Sequence, residues 1–289
     1  METGTLFLQN LTKTYGNKTA VNIAALKIQP RTFTCIVGKS GCGKTTLLRL
    51  LAGLETADTV TDTKDNVSGS GSNISNRNNL INAAKGNTSS CITGLPAKTA
   101  PVFQEPRLMP WLTVKENIMF SLKGQDKYTT NQQQATEHTN RQDNNAMNPA
   151  AASPDKRCQQ LLQELELTEA ADLYPAQLSG GMAQRVSLGR TLFYDPDLIL
   201  MDEPFSALDY FTRRNLQDMV LRLFQHQKKT ILFVTHDVEE ALLLGDRILV
   251  MENGSIKADM PVPLPFPRQA ADPALQEMRQ RILNLLSDN

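Results

Sequence analysis

"IVGKSGCGKTT", Ile36 to Thr46, decides the fold of this 289-residue chain. It begins in "TFTCIV", an apolar run without charge, as expected of a strand buried on both faces. It ends by opening "KTTLLRLLAGL", whose apolar positions recur at helical spacing and which stops near Gly53. Between strand and helix lies G-x-x-x-x-G-K-[ST], in the setting that this pattern requires. Glycines let successive backbone N–H groups turn inward around phosphate oxygens, and a helix N-terminus adds its positive end. Gly38, Lys39, Ser40, Gly41, Cys42, Gly43, Lys44, Thr45 and Thr46 therefore form a candidate phosphate loop. Lys44 would reach the β- and γ-phosphates, and the Thr45 hydroxyl would reach Mg²⁺.

The second half of the chain alternates strand and helix. "LILMD", "TILFVTH" and "RILVM" read as strands; "GMAQRVSLGRTLFYD", "FTRRNLQDMVLRLFQHQ" and "DVEEALLLG" read as helices. That alternation predicts an α/β domain with a largely parallel sheet. "DLILMDEP" delivers Asp202 and Glu203 to the carboxyl end of a strand, where open α/β sheets gather ligands. Beside a phosphate loop, Asp202 can orient Mg²⁺ and Glu203 can polarise an attacking water.

Lys plus Arg equals Asp plus Glu, 30 against 30, so no global positive field points to nucleic acid. The cysteines Cys35, Cys42, Cys91 and Cys158 show no paired spacing, which argues against a disulfide framework or structural zinc. No apolar run approaches the roughly 20 residues that cross a bilayer, and the N-terminus has no secretory pattern. A soluble, cytoplasmic chain is expected. Two stretches rich in Asn, Ser, Thr, Gly and Gln, at about 57–100 and 123–154, are expected to be mobile inserts. A closing amphipathic helix is expected at about 270–287.

A third motif separates the possible nucleotide enzymes. "QLSGGMAQRVSLGRTL" stands just ahead of "LILMDEP". Leu178, Ser179, Gly180, Gly181 and Met182 would expose N–H groups and a hydroxyl at a helix N-terminus, a second anion site in one chain. With this motif the chain resembles the nucleotide-binding subunit of an ATP-binding cassette (ABC) transporter. The resemblance implies a P-loop NTPase cassette, a single domain over 1–289. It has a mixed core sheet, an antiparallel β subdomain and an α-helical signature subdomain. It also implies an ATPase using Mg²⁺, in which two chains pack head to tail and the signature of one covers the ATP held by the other.

The remaining family elements fall in order. Tyr15 in "KTYGNKTAV" resembles the aromatic that stacks on adenine. Gln104 resembles the glutamine that touches Mg²⁺ and the attacking water. Ser206, Ala207, Leu208 and Asp209 resemble the loop that contacts the opposite subunit, and His236 in "VTHDVEEAL" the switch histidine. His138 and His226 have no such context and are expected to be exposed. Departures are Met182 for the commoner Gln, "PRTF" ahead of the phosphate-loop strand, and "SLGRTL" for "AxARAL". Gly189 and Thr191 in that last segment are expected to loosen the helix.

"VFQEPRLMPWLTVKENI", Val102 to Ile118, places Leu108, Met109, Pro110 and Trp111 on what reads as a loop. It resembles the importer branch for nitrate, aliphatic sulfonates, taurine and related solutes, as does the tail "VPLPFPRQAADPALQEMRQRIL". Two membrane permease subunits would receive this loop at the cytoplasmic face of the inner membrane. A periplasmic or lipid-anchored solute-binding protein would act indirectly, and nucleic acid would take no part. The alternative is a soluble ABC ATPase for cofactor assembly or nucleic-acid work.

Overall fold

The computed structural model describes residues 4–58, 91–124 and 153–287. Six strands form the core sheet in the order β5-β6-β7-β3-β8-β9. These are β3 (Phe33–Val37), β5 (Thr99–Val102), β6 (Leu198–Asp202), β7 (Thr230–Thr235), β8 (Arg247–Glu252) and β9 (Ser255–Pro261). All neighbours run parallel except β9, which returns antiparallel along β8. A smaller antiparallel sheet has the order β2-β1-β4, from β1 (Leu6–Tyr15), β2 (Lys18–Ile28) and β4 (Ile92–Thr93).

Strand alternation divides the interior into two layers. Phe33, Cys35 and Val37 of β3 face one side, with Ile231 and Phe233 of β7 and Ile199 and Met201 of β6. Covering that side are α2 (Val114–Ile118), α3 (Pro154–Glu164), α4 (Gly180–Tyr194), α5 (Tyr210–Gln227), α6 (Val238–Leu244) and α7 (Pro273–Ser287). Ile36, Leu200, Leu232 and Val234 face the other side, against the small sheet and α1 (Lys44–Leu51). Lying between two apolar layers explains why β3, β6 and β7 read as uninterrupted apolar runs.

Several local choices in the sequence place the helices. Thr113 and Glu116 cap α2 reciprocally: the Glu116 N–H donates to Thr113 Oγ1 (3.3 Å) and the Thr113 N–H to Glu116 Oε2 (2.9 Å). Ser179 caps α4, Asp209 caps α5 and Asp237 caps α6. Strand β4 falls within 57–100, the first stretch expected to be an insert, and β5 begins there. Residues 59–90 and 125–152, which hold most of both stretches, and His138 lie outside the described residues. As the edge strand of its sheet, β5 tolerates Pro101, a residue that cannot donate to a ladder.

Candidate active site

Four parallel strands end on one side of the core sheet and deliver the candidate residues there. Val37 pairs with Thr235, Asp202 with Val234, and Val102 with Met201. The phosphate loop, His236, Glu203 and Gln104 thus follow the ends of neighbouring strands, in the crevice beyond the carboxyl edge of an open α/β sheet.

Close backbone contacts shape the loop. Gly43, at the N-cap of α1, has φ +106°, and a Cβ there would lie 1.9 Å from the Ala20 carbonyl oxygen. Only glycine fits. The Gly254 N–H donates to the Cys42 carbonyl (2.9 Å), while the Gly254 carbonyl accepts from Asn22 N–H (2.8 Å). One glycine between β8 and β9 therefore ties the phosphate loop to the small sheet. Lys44 is buried, its ammonium donating to the carbonyls of Gly38 (2.8 Å) and Lys39 (3.1 Å). Cys42 is also buried, and all four cysteines are free thiols.

Thr45 Oγ1 donates to Asp202 Oδ1 at 3.0 Å. Burial raises the Asp202 pKa, and the Thr45 hydrogen bond partly offsets this. A hydroxyl and a carboxylate side by side are hard oxygen donors. They suit a Mg²⁺ that takes its other ligands from water and phosphate. Among the described residues no cluster of three His, Cys, Asp or Glu could form a cage made wholly of protein groups.

Glu203 has φ +43°, uncommon for a non-glycine residue, and its N–H donates to Val234 O (3.0 Å). Its Oε2 lies 3.0 Å from His236 Nδ1. A carboxylate and an imidazole are thereby joined beside the Thr45–Asp202 pair. Gln104 is exposed and makes no hydrogen bond to Thr45, Asp202 or Glu203 among the described residues. Tyr15 is 47% exposed, its hydroxyl donating to the Glu55 carboxylate, which raises the phenol pKa.

The Ser179–Met182 segment makes no hydrogen bond to the phosphate loop, Asp202 or His236 among the described residues. Ser179 Oγ accepts from Met182 N–H (3.3 Å), and Met182 packs half-buried against the core. Leu208 packs over Gly180 and Thr212 over Gly181, so segments 178–182 and 206–209 form one surface. The expectation of a loosened helix gives way to a different finding. Helix α4 is continuous, and a Cβ at Gly189 would lie 2.7 Å from Leu165 Cδ1 and 3.2 Å from Ile118 Cδ1. Gly189 brings α4 close to α2, and Thr191 Oγ1 donates within the helix to Ser187 O (3.2 Å).

Trp111 is 69% exposed and Pro110 is exposed, whereas Leu108 and Met109 are half-buried. Sequence reasoning missed what holds this loop. Asn117, fully buried, accepts from Met109 N–H (2.8 Å) and donates to the carbonyls of Met109 (3.1 Å), Leu112 (2.9 Å) and Thr113 (3.0 Å). The signal was a poor helix former three residues after Val114 and one before Ile118, on the apolar side of a short helix. His226 is exposed in the last turn of α5.

A sheet edge that gathers a phosphate loop, an Asp–Thr pair and a Glu–His pair is the frame of a P-loop nucleotide site. The ABC transporter family's model matches residues 21–206, and the chain belongs to that family. An aliphatic sulfonates import ATP-binding protein of Pseudomonas fluorescens is 36% identical, covering 96% of this chain and 85% of that protein. Its counterpart in Granulibacter bethesdensis is also 36% identical, with 99% and 95% covered. A dimeric ATP-binding cassette bound to ADP and Pi after hydrolysis shares the fold with TM-score 0.62. It is 27% identical over 90% of this chain and 99% of that one. No described helix is long and apolar enough to cross a membrane.

Proposed function

We propose that this chain is the ATP-hydrolysing subunit of an ABC importer for aliphatic sulfonates or closely related solutes. It works as a homodimer beneath two membrane-spanning subunits at the cytoplasmic face of the membrane. The contact between Glu203 Oε2 and His236 Nδ1 carries the catalytic part of this reading. The contact orients the Glu203 carboxylate, the general base of this reading, next to the Thr45–Asp202 pair. The sulfonate assignment rests on the names of the relatives.

Tyr15 would offer its exposed ring face to adenine. Lys44 would exchange the carbonyls of Gly38 and Lys39 for β- and γ-phosphate oxygens. Thr45 and Asp202 would hold Mg²⁺, which supplies positive charge to the phosphates when bound. Glu203 would accept the proton of the attacking water, while His236, 3.0 Å from that carboxylate through Nδ1, would hold it in place and read the γ-phosphate. Gln104, which is exposed and bonds to none of Thr45, Asp202 and Glu203 among the described residues, would follow the terminal phosphate. Ser179 and Gly181 of the second copy would close over that phosphate, with Ser206–Asp209 alongside. Trp111 and Pro110 would meet the membrane subunits.

Genetic replacement tests the assignment. Lys44→Ala in the source organism should abolish growth on an alkanesulfonate as sole sulfur source and leave growth on sulfate intact. Growth on both would contradict the sulfonate assignment.

A further inference from the structure

Helix α4 begins at Ser179, the cap of the signature, and eleven residues on carries Arg190. Arg190 reaches across to the loop that bears Trp111. Its Nη1 donates to the Arg107 carbonyl (2.9 Å) and its Nη2 to the Pro106 carbonyl (3.0 Å). A guanidinium fork matches two adjacent acceptors in a way that an ammonium cannot. Among the described residues Arg190 has no carboxylate partner, so these carbonyls are what offset its partial burial.

One further contact ties the same segment to the same helix, and two others brace it from within the segment and through α2. Gln184 Nε2, one and a half turns before Arg190, donates to the Phe103 carbonyl (3.3 Å). Arg107, held at φ +47°, lays its guanidinium over the Phe103 ring at 4.0 Å. Gly189 removes the side chain that would separate α4 from α2, whose Asn117 holds Met109 through Thr113. Left-handed backbone at a non-glycine residue persists only where its surroundings dictate it. Here Arg190 supplies that constraint.

We propose that Arg190 is a positioning residue that makes loop 104–111 a rigid extension of the signature helix, so that fixing Ser179–Gly181 also fixes Trp111. This rests on the reading of the signature as a surface closed by a second, ATP-bearing copy. Arg190 then joins two contacts at opposite ends of α4, one with the partner's nucleotide and one with the membrane subunit.

Hydrogen exchange tests this on the full chain carrying Glu203→Gln, which is expected to keep ATP bound. MgATP should slow exchange at 180–184. It should also slow exchange at Met109 and Leu112 by about fivefold or more, the lower end of usual coupling between sites. Adding Arg190→Ala should leave the slowing at 180–184 and abolish it at Met109 and Leu112, with acrylamide quenching of Trp111 increased. Arg190→Lys, which retains the charge but one prong, keeps the chain folded and should restore part of the effect. Undiminished slowing at Met109 and Leu112 in both Arg190 variants would overturn the proposal. So would a parent that slows at 180–184 alone. A parent that neither dimerises nor slows anywhere with MgATP would instead contradict the composite-site reading.

Discussion

Two regions of this molecule are held in different ways. At the sheet edge, side chains from separate elements bond to one another, Thr45 to Asp202 and Glu203 to His236, on a backbone with almost no spare room. In loop 104–111, side chains of α2 and α4 instead grip main-chain atoms, and Pro110 and Trp111 are left to face outward. The first arrangement aims reactive groups inward and tolerates little change. The second presents an apolar surface in a fixed shape, as a docking site requires, because ordering a loop beforehand lowers the cost of binding.

Substitutions can break that contrast. The largest effect is expected at Gly43→Ala, whose Cβ would strike the Ala20 carbonyl. MgATP binding by calorimetry should be lost, and a bound nucleotide would show that the loop can relax. Next, Glu203→Gln should slow hydrolysis about 10²–10⁴-fold, the usual share of a positioned general base, with ATP affinity kept. Near-normal turnover would remove Glu203 from that role. Asn117→Ala leaves buried main-chain groups without partners and should lower unfolding stability by about 1–3 kcal/mol in urea. A smaller loss would show that the loop holds its shape without it. Trp111→Ser should be nearly silent in stability, within about 0.5 kcal/mol. It should nevertheless stop the protein from co-purifying with its membrane subunits, and if capture is retained, docking lies elsewhere.

The candidate phosphate motifs were legible because each combines residue type, spacing and a strand or helix beside it. Asp202 and Glu203 stood out at the end of "LILM", and Ser179 and Asp209 each stand where a helix N-cap belongs. Long-range partners were not legible. Nothing local says that Glu55 accepts from Tyr15, or that Arg190 reaches Pro106 and Arg107, 84 and 83 residues away. Gly189 misled for a related reason. Helix propensity counts only its cost within α4, whereas its benefit is the approach of Ile118 and Leu165 from other elements. Strand β9, only partly buried, lacked the continuous apolar run that marked β3, β6 and β7.

The central claim is that one ATP site needs two chains, and sedimentation velocity tests it most directly. With Glu203→Gln, MgATP should convert monomer to dimer, and adding Ser179→Arg should abolish the dimer while the monomer still binds ATP. A monomer throughout, or a dimer indifferent to Ser179→Arg, would contradict it.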